Sequence, residues 1–227
     1  TDAAKAKIFT KIGREIAVVV KQGGANPNEN SKLKDVIAKA KAANVPNDNI
    51  ERIIKKAAGE GDNTNYEELL YEGYGPCGVA VVVETLTDNR NRTAGEMRHY
   101  FDKFGGNLGQ SGSVTFMFDR KGIIVIEAEG LDEDTVMEAA LEAGADDFEF
   151  DGEIFEISTE PNSLGAVRDA LEEQGYKFVS AEVAYVPQTM SSIDDPDLVV
   201  KMERLIDMLE ENDDVQAVWH NWEMPEE

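Results

Sequence analysis

Apolar residues recur through the first quarter of the chain with a helical period. Ile8, Ile12, Ile16, Val19 and Val20 share one stripe, and at about 100° per residue Lys7, Lys11, Arg14 and Lys21 lie roughly opposite it. Gly23 to Asn30 reads as a loop by composition. A second helix turns Leu33, Val36, Ile37 and Ala40 inward, flanked by Lys32, Lys34, Lys39 and Lys41. Asn44 to Asn47, with Pro46, breaks it. Asp48 and Glu51 have capping-box spacing for a third helix. That helix buries Ile50, Ile53, Ile54 and Ala57 and points Arg52, Lys55 and Lys56 away. Three amphipathic helices with basic outer faces are expected to bury one common core.

A polar, glycine-containing linker, Gly59 to Asn65, follows, and the period then becomes strand-like. Glu68 to Tyr74 predicts a strand and Gly75 to Gly78 a turn. Val79 to Thr85 predicts a buried strand. Thr93 and Glu96 have capping-box spacing for the next helix, whose stripe is Ala94, Met97, Phe101 and Phe104. Gly105 and Gly106 end it, because glycine accepts the left-handed backbone of a C-terminal cap. Ser113 to Phe118 alternates as a strand. From Gly122 the order is strand, helix, strand, strand, helix, strand: Ile123–Ile126, Asp132–Ala143, Phe148–Phe150, Glu153–Ser158, Ser163–Gln174 and Phe178–Val186. This is the ferredoxin-like plan. A helix over Leu198–Leu209 and a strand over Asp214–Trp222 complete the chain. The tail and the earlier strand–helix–strand each make half of a sandwich. Joined, they give a second ferredoxin-like unit with the first inserted in it. The expected class is therefore α/β (α+β). Its domains are 1–65, helical; 66–120 plus 187–227, a central ferredoxin-like domain; and 121–186, an inserted one.

Composition sharpens this division. The chain has 227 residues, 41% hydrophobic and 30% charged, which suits a globular protein. The net charge of −24 argues against nucleic acid binding over the whole surface. The charge is unevenly placed, however. Thr1 to Asn65 holds 12 Lys and Arg against 8 Asp and Glu, and the remainder holds 10 against 38. From Ala128 to Met190, 17 acidic residues face only Arg168 and Lys177. Such a step marks a functional boundary. The chain begins at Thr1 without methionine, so a short leader is expected to precede it.

Little in the sequence suggests catalysis. One cysteine, Cys77, and two histidines, His99 and His220, make no standard zinc site. A lone cysteine also excludes an internal disulfide. Asp132–Asp134, Asp146–Asp147 and Asp194–Asp195 read as solvated caps and loops rather than cation sites. Gly73 to Gly78 lacks P-loop spacing and its lysine, and no G-x-S-x-G turn is present. Neither catalytic residues, metal nor cofactor is expected. Phosphate binding is the chemistry that remains. Lysine and arginine neutralise phosphates and release counterions, giving salt-dependent and mostly sequence-independent affinity. The candidate surface comprises Lys7, Lys11, Arg14, Lys21, Arg52, Lys55 and Lys56, extended by Arg90, Arg92 and Arg98 near the fourth helix start. No base-reading motif accompanies it.

The stretch LYEGYGPCGVAVVVETLTDNRNRTAGEMRHYFDKFGGNLGQSGSVTFMF, Leu70 to Phe118, resembles the signature of the YebC-type transcriptional and translational regulators. KIFTKIGREI (Lys7–Ile16), NIERIIKKAAGE (Asn49–Glu60) and DDVQAVWHNWEMPEE (Asp213–Glu227) resemble that family too, so the likeness spans essentially the whole chain. It implies three domains, one inserted in another, and a cytoplasmic, non-enzymatic, DNA-binding regulator of transcription. Relatives described as translational activators imply the ribosome as an alternative partner. The family usually opens with a basic leader that is not seen here, and relatives often have a small residue such as glycine at position 77. Two further readings stand beside this. The acidic inserted domain could take a basic protein partner, or a ferredoxin-like domain could serve as an interaction or small-molecule-sensing module. No membrane partner is expected.

Overall fold

The computed structural model describes every residue except Glu60, Asp62, Asn63 and Glu227; the expected Gly59–Asn65 linker lies partly outside the described residues. Three helices come first, α1 (Asp2–Gly23), α2 (Ser31–Ala42) and α3 (Asn47–Ala58). Then follow β1 (Glu67–Tyr74), β2 (Ala80–Thr87), α4 (Arg90–Lys103) and the two-residue β3 (Asn107–Leu108). The acidic stretch contributes β4 (Phe118–Glu127), α5 (Glu133–Ala143), β5 (Asp147–Phe150), β6 (Ile154–Thr159), α6 (Leu164–Glu173) and β7 (Ser180–Pro187). The chain closes with α7 (Pro196–Glu211) and β8 (Val215–His220). It forms two compact units: Thr1–Glu15 with Asn63–Asp119 and Tyr185–Glu227, and Ile16–Asp62 with Arg120–Ala184. Helix α1 gives its first turns to one unit and the rest to the other.

The second unit carries a sheet of order β5-β6-β4-β7, the spatial order of a ferredoxin-like βαββαβ unit. Ile124, Ile126, Phe155 and Ile157 on one sheet face bury against Val136, Ala139 and Ala140 of α5 and Leu164, Val167 and Leu171 of α6. In the same unit, Asn30 caps α2 by accepting from Leu33 N–H at 3.1 Å. Its amide donates to the carbonyls of Val19 and Gly24 at 2.9 Å, fixing the α1–α2 loop.

The sheet of the first unit has order β3-β1-β2-β8. This is the same spatial plan with one strand relocated in sequence: the strand paired between the two ends of the β2–α4–β3 crossover comes first in the chain instead of third. Strand β2 is buried on both faces, which its unbroken apolar run anticipates. Val79, Val81 and Val83 pack with Met97 and Phe101 of α4 and Met202, Leu205 and Leu209 of α7. Ala80 and Val82 face Val114 and Phe118. On either side of the stretch from β4 to β7, Gln188 N–H donates to Met117 C=O at 3.0 Å.

Several local expectations change. Of the strand expected over Ser113 to Phe118, only Phe118 is in one, as the first residue of β4. Glu72, buried on β1, accepts from Val114 N–H at 2.8 Å and Thr115 N–H at 3.0 Å, so these donors are withdrawn from any ladder and the chain makes a 3-10 turn over Thr115–Met117. Helix α4 starts three residues before the expected cap. Asn89 is its N-cap, accepting from Arg92 N–H at 3.1 Å, and Thr93 lies inside. Helix α3 starts at Asn47 after Pro46, with no side-chain cap from Asp48. The end of α4 is as expected: Gly105 has φ +78° and Gly106 N–H donates to Phe101 C=O at 2.8 Å.

Candidate nucleic-acid interface

The ten nominated cations divide by unit and by what they already touch. In the first unit, the basic stripe of α1 is already engaged by the end of α7. Lys7 and Lys11 donate to the carbonyls of Glu211 and Glu210 at the end of α7. Those carbonyls have no partner within their own helix, and the C-terminal end of the dipole favours cations. Lys7 also pairs with Asp213 at 3.4 Å. Ile8, expected in the buried stripe, is 45% exposed. The helical period places Ile8 correctly relative to the lysines; it cannot tell that α7 lies on the lysine side.

Arg14 and Arg92 converge on one carboxylate, Asp214, which is 3% exposed. Arg14 Nη1 donates to Asp214 Oδ1 at 2.7 Å and to Leu86 C=O at 3.0 Å, and its guanidinium stacks 4.9 Å from the Tyr66 ring centre. Arg92 Nη2 reaches both oxygens of Asp214 at 3.0 Å and also Asp88 at 3.0 Å. Thr93 donates its hydroxyl to Asp214 Oδ2 at 2.9 Å. Burial pushes the Asp214 carboxyl up, but Arg14, Arg92 and Thr93 outweigh it and hold it below the usual aspartate range. These contacts tie α1, α4 and the entry to β8 together. Their chemistry is that of a structural clamp, in which Arg14 is largely enclosed and Arg92 stays partly exposed.

Arg90 pairs with Glu67 at 3.1 Å, with both side chains more than half exposed. Such a pair contributes little and is readily exchanged for a phosphate. Arg98 is exposed, with no ion pair among the described residues.

In the second unit the picture differs. Arg52, Lys55 and Lys56 of α3 are exposed. Arg52 donates only to Asn49 Oδ1, at 3.3 Å, while Lys55 and Lys56 carry no ion pair among the described residues. Lys21, at the end of α1, is also exposed. Two lysines of α2 are occupied, Lys34 by Asp169 at 2.9 Å and Lys39 by Glu182 at 3.8 Å, while Lys32 and Lys41 are exposed. The nominated set omitted Lys32 and Lys41, although their flanking positions were visible. It also missed Asp214 as the organising residue. An acid directly before an apolar strand, as in DDVQAVW, is the signal available for it.

Neither histidine belongs to a reactive constellation. His99 is exposed. Burial holds His220 below its ordinary range, and its Nδ1 accepts from Trp222 N–H at 3.1 Å. Among the described residues, no three His, Cys, Asp or Glu side chains are grouped to hold a metal, and no helix is long and apolar enough to cross a membrane.

The family model described as the TACO1/YebC protein N-terminal domain matches residues 1–60, and that of the TACO1/YebC second and third domain matches residues 66–222. The chain belongs to the TACO1/YebC family. Within it, a protein of Acetivibrio thermocellus named a probable transcriptional regulatory protein is 65% identical over 223 residues, covering 98% of this chain and 92% of the relative. One of the same name from Finegoldia magna is 60% identical over 222 residues, with the same coverage of each. The crystal structure of a conserved hypothetical protein from Aquifex aeolicus superposes with a TM-score of 0.88 at 46% identity. That alignment covers all of this chain and 93% of the other. The TACO1/YebC assignment thus rests on both parts of the chain, and the solved structure supports the arrangement of helices and two sheets.

Proposed function

We propose that this protein is a cytoplasmic, non-enzymatic regulator of gene expression that docks electrostatically on nucleic acid, with DNA as the first reading. The observation that carries it is the group Arg52, Lys55 and Lys56: three cations close together on one short helix, exposed, and free of ion pairs among the described residues. Keeping such charges unpaired in an acidic chain is consistent with an external anion. The names of the relatives support a role in transcription. Lys21 is exposed in the same unit, and Arg98 and Arg90 offer a smaller set in the other. Lys7, Lys11, Arg14 and Arg92 contribute to the fold first.

A second reading keeps the same residues and changes the target to ribosomal RNA, making the protein a translational activator. The net charge of −24 favours it, because a surface presenting both phosphates and basic proteins suits an acidic chain better than bare duplex does. The acidic stretch from Ala128 to Met190 would then meet a basic protein.

The test uses the full chain. Binding to promoter fragments and to ribosomes is titrated against salt for the native protein and for R52Q/K55Q/K56Q. Each lost phosphate contact lowers the magnitude of the log–log salt slope by about 1. A fall of about 2–3 is expected on the true target. An unchanged slope on both targets would refute the α3 assignment. A salt-stable shift of one DNA sequence supports transcription, and co-sedimentation with ribosomes supports translation.

A further inference from the structure

We infer that the outer face of α5 is a docking surface for a basic, amphipathic helical segment of a partner protein. This rests on the reading of the acidic insert as partner-binding and gives that reading a place and a shape.

Helix α5, EDTVMEAALEA, contains no lysine or arginine. Its inward residues are Val136, Ala139 and Ala140. The opposite side presents Asp134, Met137, Glu138, Leu141 and Glu142, spaced at i, i+3, i+4, i+7 and i+8, which is one continuous helical face. Met137 is 37% exposed and Leu141 50%. They stand one turn apart, so they form a contiguous apolar strip rather than two scattered side chains. Isolated exposed apolar residues need no explanation, but an i, i+4 pair edged by carboxylates has the form of an anchor and its rim.

The carboxylates are not accounted for by the helix itself. Acids in the first turn, Glu133 and Asp134, suit the dipole, and Asp132 caps it by accepting from Thr135 N–H at 3.1 Å. Glu138 and Glu142 do neither. Glu142 lies in the last turn, where a cation is favoured and none is present. Asp134–Glu138 and Glu138–Glu142 are like-charge i, i+4 pairs, which weaken a helix. None of the three has an ion-pair partner among the described residues. Of the two basic residues between Ala128 and Met190, Arg168 is 2% exposed and held by Asp35 and Asp169. A segment bringing lysines or arginines beside an apolar strip would relieve the repulsion and cover Met137 and Leu141 together, the helix-in-groove mode of recognition. The same charge turns nucleic acid away from this face.

The probe is a synthetic helical peptide of lysine and leucine with its leucines on one face, compared with a scrambled isomer of equal charge that has no apolar face. Binding to the full chain is measured by calorimetry and mapped by amide shift changes. The expected result is salt-sensitive binding with shifts centred on α5. Affinity should fall by at least about tenfold for the scrambled isomer, for M137S/L141S and for E138Q/E142Q. DNA or ribosome binding should be unchanged in both variants. All four residues are exposed, so thermal melts should show both variants folded. Equal binding of both peptides, untouched by M137S/L141S, overturns the α5 surface while leaving a general attraction of the insert for basic segments. No binding of either peptide removes both. Concentration-dependent self-association abolished by M137S/L141S would give the face to a second copy of this chain and overturn the proposal.

Discussion

Two adjacent aspartates should behave as opposites. Asp214 is nearly inaccessible and is held by Arg14, Arg92 and Thr93, whereas Asp213 is 57% exposed at its side chain and, among the described residues, pairs only with Lys7. Substituting Asp214→Asn removes the charge with almost no change in shape. Breaking a buried ion pair from one side costs about 3–5 kcal/mol. Arg14, 16% exposed at its side chain, bears most of that, because it is left with only Leu86 C=O and the Tyr66 ring. Arg92 is 41% exposed and keeps Asp88 and water, so its share is discounted. The expected loss is about 2–4 kcal/mol, or roughly 4–16 °C in Tm for a chain of this size. Asp213→Asn should cost under about 1 kcal/mol. The pH dependence adds an independent check. The folded carboxyl of Asp214 titrates below its ordinary value, so its stabilisation is complete above that ordinary value, about 4. It disappears as pH falls through the lower folded value. Calorimetry of native and D214N proteins from neutral pH downward should show the gap closing at the acid end. A neutral-pH difference under about 1 kcal/mol, or a gap that ignores pH, would refute the clamp.

Three further outcomes follow from particular residues. Cys77 holds φ 59° and ψ 24°, a left-handed conformation costing a side chain about 1–2 kcal/mol, partly offset by the extra unfolded-state freedom of glycine. C77G should therefore gain about 0.5–1 kcal/mol in denaturant unfolding, and a loss would contradict that account of the turn. Arg168 joins α6 to Asp35 of α2 at 2.8 Å while itself 2% exposed; R168A should destabilise by about 1–3 kcal/mol, below the full cost of a buried pair because Asp35 and Asp169 remain hydrated. An unaltered melting curve would show that α2 needs no such tie. His220 is held neutral by burial, so the fold loses stability as pH falls from about 6.5 toward its lower folded value. H220Q should flatten that part of the pH–stability curve, and an unchanged slope would place the proton uptake elsewhere.

Much of this architecture can be read from the chain, because each element had to bury a stripe. The run Val79 to Val83 predicts a strand covered on both faces, and it is. The βαββαβ order after Gly122 predicts a sheet whose neighbours then follow. The strand order of the first sheet is less legible. It depends on β3, two residues long, pairing Gly73 and Tyr74, and so short a strand leaves no periodic trace. The helix starts were misplaced at α3 and α4 because Asp48 and Thr93 satisfy a spacing rule, whereas α3 begins directly after Pro46 with no side-chain cap and α4 is capped by Asn89, four residues before Thr93. The charged site was legible as composition and illegible as geometry. A helical wheel separates Lys11 from Ile12 but cannot announce that the carbonyls of α7 stand where water was expected. Only its place directly before the apolar strand sets Asp214 apart from Asp213 in the sequence, and that does not tell how many donors the fold later gathers around each.

The contact between Met117 and Gln188 has a consequence for how such a chain can arise and be re-engineered. The 70 intervening residues leave and rejoin their host within one peptide-to-peptide bond. The ends that a graft must bring together are therefore already closed by the host's own backbone. Joining them through a tight turn should cost little loop-closure entropy. The stretch between Met117 and Gln188 therefore starts and finishes at one self-sealed point of its host, where its length can change without redrawing the first sheet.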